Sequence, residues 1–217
     1  MTRESCGGGT IPKQTFFNLD KDKQDRIIEC AIDEFSARNF ENSKLSNIIK
    51  NAKISRGSLY QYFEDKFDIY IYIMELTKNE KLKYMSPHLA NPKAIPFIEL
   101  FKEMYVSGIR FAIDNPKLVK MMTHLLSTKG EIYDRVMKDG LQLAIDMYTN
   151  LIELDKKAGR IKKNIDSKIF AQLVIDMTVN VSVNELDRDK SEFNFDKMLE
   201  RITQIIDIIG YGVTEEE

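Results

Sequence analysis

Ile54-Ser55-Arg56-Gly57-Ser58-Leu59-Tyr60-Gln61-Tyr62-Phe63-Glu64-Asp65-Lys66-Phe67-Asp68 is the stretch from which the fold can be read. Ser55 is a favoured helix N-cap, and Asp65 can cap a further helix just downstream. Between the two caps fits a helix of about two turns, too short to be stable by itself. Leu59 and Phe63 lie four apart and share one face, so the helix docks through them. Arg56, Ser58, Tyr60 and Gln61 are then left facing outward or along the rim. Gly57 carries no side chain, which lets another molecule approach the backbone closely. A helix this short that shows these groups implies an external ligand for them.

Upstream, Ser43 can cap a helix carrying Leu45, Ile48, Ile49 and Ala52, followed by a turn at Lys53-Ile54. Lys44–Ala52 and Arg56–Phe63 then form a helix-turn-helix, in which the first helix braces and the second enters a major groove. Between Ser43 and Lys66, Lys44, Lys50, Lys53, Arg56 and Lys66 face only Glu64 and Asp65, inside a chain of net charge −2. A charge run is commonly just a solvated face; here its position makes it a DNA-binding signal. Tyr60 and Tyr62 can donate hydroxyls to phosphates, Lys66 can offer a point charge, and the helix N-terminus adds free N–H groups. Base reading falls to Arg56 and Gln61, with Lys44 or Tyr60 beside them.

Around this motif almost everything reads as helix. Residues 1–17, with three consecutive glycines, read as a flexible N-terminal segment. Ile27, Ile28, Ala31, Ile32 and Phe35 recur at helical spacing, and Asn39 fits a left-handed stop. A helix over 65–85 leads to the punctuation of Pro87, Pro92 and Pro96, and further helices are expected near 96–114, 117–127, 131–158, 167–187 and 195–211. Neither hairpin dipeptides nor sustained alternation occur. The expected fold is all-α with about nine helices: a helix-turn-helix domain over 18–67, and an effector-binding and dimerisation domain over 68–217.

Asp25–Met74 resembles the DNA-binding domain of the tetracycline-repressor (TetR) family of bacterial transcription regulators. The residues that carry the resemblance are Phe40-Glu41-Asn42-Ser43, Ile48, Ile54 through Phe63, and Lys66. It implies that Ser43, Lys44, Ser55, Arg56, Ser58, Tyr60, Tyr62 and Lys66 touch DNA, mostly its backbone. The chain departs from the family pattern at Asn39 and Lys53, where glycine is usual, and at Ile49, where alanine is usual. Lys53 would carry some strain if the turn keeps a positive φ.

The C-terminal part resembles the family only in its helical pattern. Phe170, Leu173, Val174, Met177 and Val181 make one apolar face of a helix whose nearly opposite face, Ile175, Val179, Val183 and Leu186, is also apolar, and Met198, Leu199, Ile202, Ile205, Ile206, Ile208 and Ile209 exceed a single stripe on the last. Such helices must bury two faces, either in an enclosed monomer core or against a second copy in a four-helix bundle. The second option suits a palindromic operator. Met104, Phe111, Met121, His124, Tyr133, Met137, Met147 and Tyr148 are the candidate effector set; plain core is the other reading of these residues. The resemblance implies a small apolar or amphipathic effector among the middle helices.

Two cysteines make no disulfide framework, and no apolar run approaches a membrane span. His88 and His124 lie far apart, so no metal site is expected. No nucleophile–base pair or phosphate loop occurs, so neither catalysis nor a cofactor is expected. The reading is a cytoplasmic, homodimeric, ligand-responsive repressor that binds a DNA operator. The alternative is an adaptor of the same fold that binds a protein partner.

Overall fold

The computed structural model describes residues 3–4, 10–128, 130–186 and 195–214. Its helices are α1 (Gln14–Phe17), α2 (Lys21–Ala37), α3 (Leu45–Asn51), α4 (Arg56–Tyr62), α5 (Lys66–Leu89), α6 (Phe97–Asp114), α7 (Pro116–Ser127), α8 (Glu131–Lys157), α9 (Ser167–Leu186) and α10 (Phe195–Val213). The all-α expectation holds. The additional helix is α1, and a two-residue antiparallel pairing joins β1 (Arg3–Glu4) to β2 (Thr10–Ile11). No described helix is long and apolar enough to cross a membrane.

Two compact units divide the chain. The first comprises Met1–Glu80 together with Asn115–Thr128, and the second Lys81–Asp114 together with Lys129–Glu217. The sequence suggests a division at 67/68; here it falls at 80/81, within α5, and α7 groups with the N-terminal helices. It packs on α2, where Lys117 Nζ meets Asp33 Oδ1 at 2.5 Å and His124 Nδ1 lies 3.4 Å from the Phe35 carbonyl oxygen.

Part of the N-terminal segment expected to be flexible packs into the first unit, with Ile11 and Phe16 both buried. Phe16 is 0 % exposed. Its ring lies against Tyr62, Phe63 and Tyr72 at centroid distances of 6.1, 5.2 and 5.6 Å. The glycine run says nothing about the apolar residues that follow it, and burial of Ile11 and Phe16 offsets part of the entropy lost on ordering the segment. Asp20 then caps α2 by accepting the Lys23 N–H at 2.8 Å.

Asn39 is not the left-handed stop. Arg38 ends α2 in extended geometry (φ −139°), and the Asn39 side chain accepts from the Asn42 N–H at 3.2 Å. Among described residues other than glycine, only Lys53 has a positive φ, at 54°.

In the second unit Phe97, Leu100, Phe101, Met104, Tyr105 and Ile109 of α6 meet Tyr148, Leu151 and Ile152 of α8 and the inner faces of α9 and α10. Asp155 joins two elements: one carboxylate oxygen accepts the Phe97 N–H at 2.7 Å at the start of α6, and the other accepts from Arg160. Gly159, at φ 73°, ends α8; its left-handed turn lets the Arg160 N–H reach the Asp155 carbonyl at 2.9 Å.

Candidate nucleic-acid interface

α3 is held by a residue distant from it in sequence. Its N-cap is Lys44, with no side-chain cap of its own, and not Ser43. Glu34 of α2 supplies the carboxylate instead. Its Oε1 accepts the Lys44 N–H at 2.8 Å, and both its oxygens lie within 3.1 Å of the Asn47 amide nitrogen. Arg38 Nη1 neutralises the other side at 3.0 Å. Nothing in local spacing marks Glu34 as a cap, because its role depends on where α2 crosses α3.

The turn between the two helices is closed by backbone bonds, Lys53 N–H to the Lys50 carbonyl and Ile54 N–H to the Ile49 carbonyl, both at 3.2 Å. That pair of bonds requires a left-handed residue at position 53, which lysine supplies at some steric cost. Arg26 Nε adds a bond to the Ala52 carbonyl at 3.0 Å.

α4 begins as its sequence predicts. Ser55 Oγ accepts the Ser58 N–H at 3.0 Å and pairs with Ser58 Oγ at 2.8 Å. Leu59 and Phe63 are buried, as is Ile48 of α3. Ser55, Arg56, Gly57, Tyr60 and Gln61 are exposed, Ser58 is half-buried, and Lys44 is exposed. The Arg56 guanidinium lies 5.9 Å from the centroid of the Tyr60 ring. A Cβ placed on Gly57 would find its nearest neighbour, Ser55 Oγ, at 3.9 Å, so packing within the chain does not require glycine there.

Three residues expected on this surface are turned inward. Ser43 is buried and donates its hydroxyl to the Phe40 carbonyl at 2.6 Å. Tyr62 is 5 % exposed and packs edge-on against Phe16. Lys66, at the start of α5, donates to the carbonyls of Phe40, Glu41 and Ser43 at 2.6, 3.3 and 3.1 Å, with its ammonium 4.4 Å from the Phe40 ring centroid. An ammonium has three donors, and the loop between α2 and α3 offers three carbonyls. Burial lowers the Lys66 pKa from its ordinary value, with Glu41 and Glu34 opposing the shift.

Residues 27–73 match the family described as bacterial regulatory proteins, tetR family. Over these residues the chain is a TetR-family DNA-binding domain. Among curated proteins it is similar to the probable acrEF/envCD operon repressor of Escherichia coli (strain K12), 24 % identical over 76 % of this chain and 76 % of that one. The fold is that of a TetR-family transcriptional regulator from Chloroflexus aurantiacus (TM-score 0.73, 22 % identity, covering 95 % and 100 % of the two chains). It is also that of the transcriptional regulator FadR of Bacillus subtilis in complex with stearoyl-CoA (TM-score 0.70, 15 % identity, 86 % and 97 %). The chain is therefore a transcriptional regulator whose TetR-type helix-turn-helix DNA-binding domain is built from α3 and α4.

The regulator's candidate effector residues fall in both units. Met121 is buried and His124 half-buried on α7 of the first. In the second, Met104 and Tyr148 are buried in the core with Met147 packed against them, and Phe111 is buried with its ring centroid 5.7 Å from that of Tyr84. Tyr133 and Met137 are half-buried on α8. Burial alone pushes the Tyr148 phenol up to about 12.

The expected dimer residues divide between the second unit's own core and its exposed side. Phe170, Val174, Ile202 and Ile206 are buried in the unit's own core, with Met177, Ile205 and Ile209 packed against it. Leu173 is outside at 49 % exposure, and the side chain of Val181 lies outside the described residues. Among the described residues of these two helices, the large apolar side chains left open are Ile169 and Leu173 on α9, with Ile208 and Tyr211 on α10 at 71 % and 85 % exposure. Periodicity identified two apolar faces; only the packing of α6 and α8 decides which one is covered.

Proposed function

We propose that this regulator is a homodimeric, ligand-responsive repressor whose two α4 helices read the half-sites of a palindromic operator. The observation that carries the reading is the division of α4: Leu59 and Phe63 anchor it, while Arg56, Gly57, Tyr60 and Gln61 stay exposed with no fold-internal use for the glycine. Arg56 and Gln61 are suited to bidentate bonds with base edges, and Ser55, Ser58, Tyr60 and Lys44 to phosphates. Dimerisation through Ile169, Leu173, Ile208 and Tyr211 would remove large apolar side chains from water and relate two recognition helices by a two-fold axis. The effector is an amphipathic acyl compound, a reading supported by the stearoyl-CoA in the FadR complex and by the Met104, Met147 and Tyr148 cluster. By preferring the geometry that does not bind DNA, such a ligand would release the operator. A repressor of this kind works in the cytoplasm.

The test is selection of binding sequences from randomised duplexes by the full-length protein, followed by titration of stearoyl-CoA into the complex. A palindromic consensus that the acyl-CoA dissociates is expected, with affinity falling steeply as salt rises. Failure to enrich any sequence would overturn the operator reading and leave the adaptor reading in its place.

A further inference from the structure

The C-terminal end of α4 is closed by a segment that precedes it by nearly fifty residues. An α-helix leaves its last four carbonyls without helical partners. In α4 the Leu59 carbonyl takes the Phe63 N–H at 3.0 Å. The other three are all satisfied by two residues near α1. The Tyr62 carbonyl accepts the Lys13 N–H at 2.9 Å, the Tyr60 carbonyl accepts from Lys13 Nζ at 3.1 Å, and the Gln61 carbonyl accepts the Thr15 hydroxyl. Lys13 Nζ also meets Glu64 at 2.7 Å, and its charge lies where a helix C-terminus favours a cation. Buried Ile11 and Phe16 on either side of Lys13 and Thr15 hold the segment in place.

From this geometry we propose that Lys13 and Thr15 are positioning residues for DNA reading: they hold the last turn of the recognition helix, and with it Tyr60 and Gln61, in the register that base contact requires. The inference rests on α4 being the reading helix. A helix of about two turns has little order of its own. Ser55 holds its first turn, and the Lys13–Thr15 segment holds its last. Lys13 therefore serves the interface through Tyr60 and Gln61, without itself touching the nucleic acid.

Lys13→Met keeps the aliphatic stem but removes the donor and the charge; Lys13→Arg restores both; Thr15→Val removes the hydroxyl. Full-length proteins are compared on the duplex that wild type selects from a random pool and on a scrambled duplex across a salt series, with amide exchange of α4 and α2 followed in the free proteins. Lys13→Met is expected to lose about tenfold or more on the selected duplex, with little change on the scrambled one and an unchanged salt slope. Thr15→Val should lose less, and Lys13→Arg should recover most of the affinity. Exchange should quicken in α4 and not in α2. Equal weakening on both duplexes with a shallower salt slope would make Lys13 a direct phosphate contact and overturn the proposal. So would unchanged exchange in α4. Should wild type select no duplex, the operator reading fails, while the exchange comparison still decides whether Lys13 holds the helix.

Discussion

Glu34 of α2 accepts the backbone N–H of Lys44 at 2.8 Å, so one helix supplies the N-terminal cap of the next. The same carboxylate holds the Asn47 amide and Arg38 while nearly fully buried. Replacing it leaves the part-buried Lys44 N–H and Asn47 amide without their acceptor. Glu34→Ala is expected to destabilise the first unit by about 1–3 kcal/mol, and Glu34→Gln by less because it still accepts from Lys44. Denaturant unfolding of both variants gives the comparison, and an alanine variant as stable as wild type would refute the capping role.

Phe16 anchors the N-terminal segment in the first unit. Truncating a fully buried phenylalanine costs about 3–5 kcal/mol. Phe16→Ala should show that loss in chemical denaturation. A change below about 1 kcal/mol would mean that the segment contributes little to the fold.

Lys53 occupies a left-handed turn position at φ 54°. Glycine there has no Cβ to clash, so Lys53→Gly is expected to stabilise the protein by about 1 kcal/mol, offset in part by the greater freedom of the unfolded chain. A rise in the unfolding midpoint is the expected readout; a fall would show that the Lys53 side chain makes a compensating interaction.

Gly57 separates stability from recognition. With the nearest neighbour of an added Cβ at 3.9 Å, Gly57→Ala should fold normally and gain up to about 1 kcal/mol from helix propensity. Affinity for the selected duplex should fall, because the methyl group occupies space that the DNA backbone would approach. Unchanged affinity would place the DNA elsewhere along α4.

Glu153 makes the second unit sensitive to acid. It accepts from the Ser167 hydroxyl and from Lys156 Nζ at 3.1 Å, and these bonds hold its carboxyl below its ordinary value of 4.5. A depressed acid contributes stability above its unfolded pKa and loses it as pH falls through the folded one. Unfolding midpoints followed from neutrality to about pH 3 should therefore decline less steeply in Glu153→Gln than in wild type. Parallel curves would show that the bond to Ser167 does not favour the ionised form.

Legibility followed distance along the chain. Ser55 as cap, Leu59 and Phe63 as anchors, and Asp65 as the next cap, accepting the Asp68 N–H at 2.9 Å, are relations within one or two helical turns. Ser43, Tyr62 and Lys66, expected on the DNA-facing surface, turn to partners from other elements that local spacing does not reveal: the loop carbonyls between α2 and α3, and the ring of Phe16.

The sequence by itself determined the helix-turn-helix, its outward Arg56, Tyr60 and Gln61, and the all-α class, since caps and apolar periodicity act locally. Tertiary structure alone decided that Glu34 caps α3, that Lys13 and Thr15 close α4, and which apolar faces of α9 and α10 lie open. The reason is physical. Orphan carbonyls and N–H groups at helix ends must find partners, and which distant side chain supplies one depends on how the helices cross.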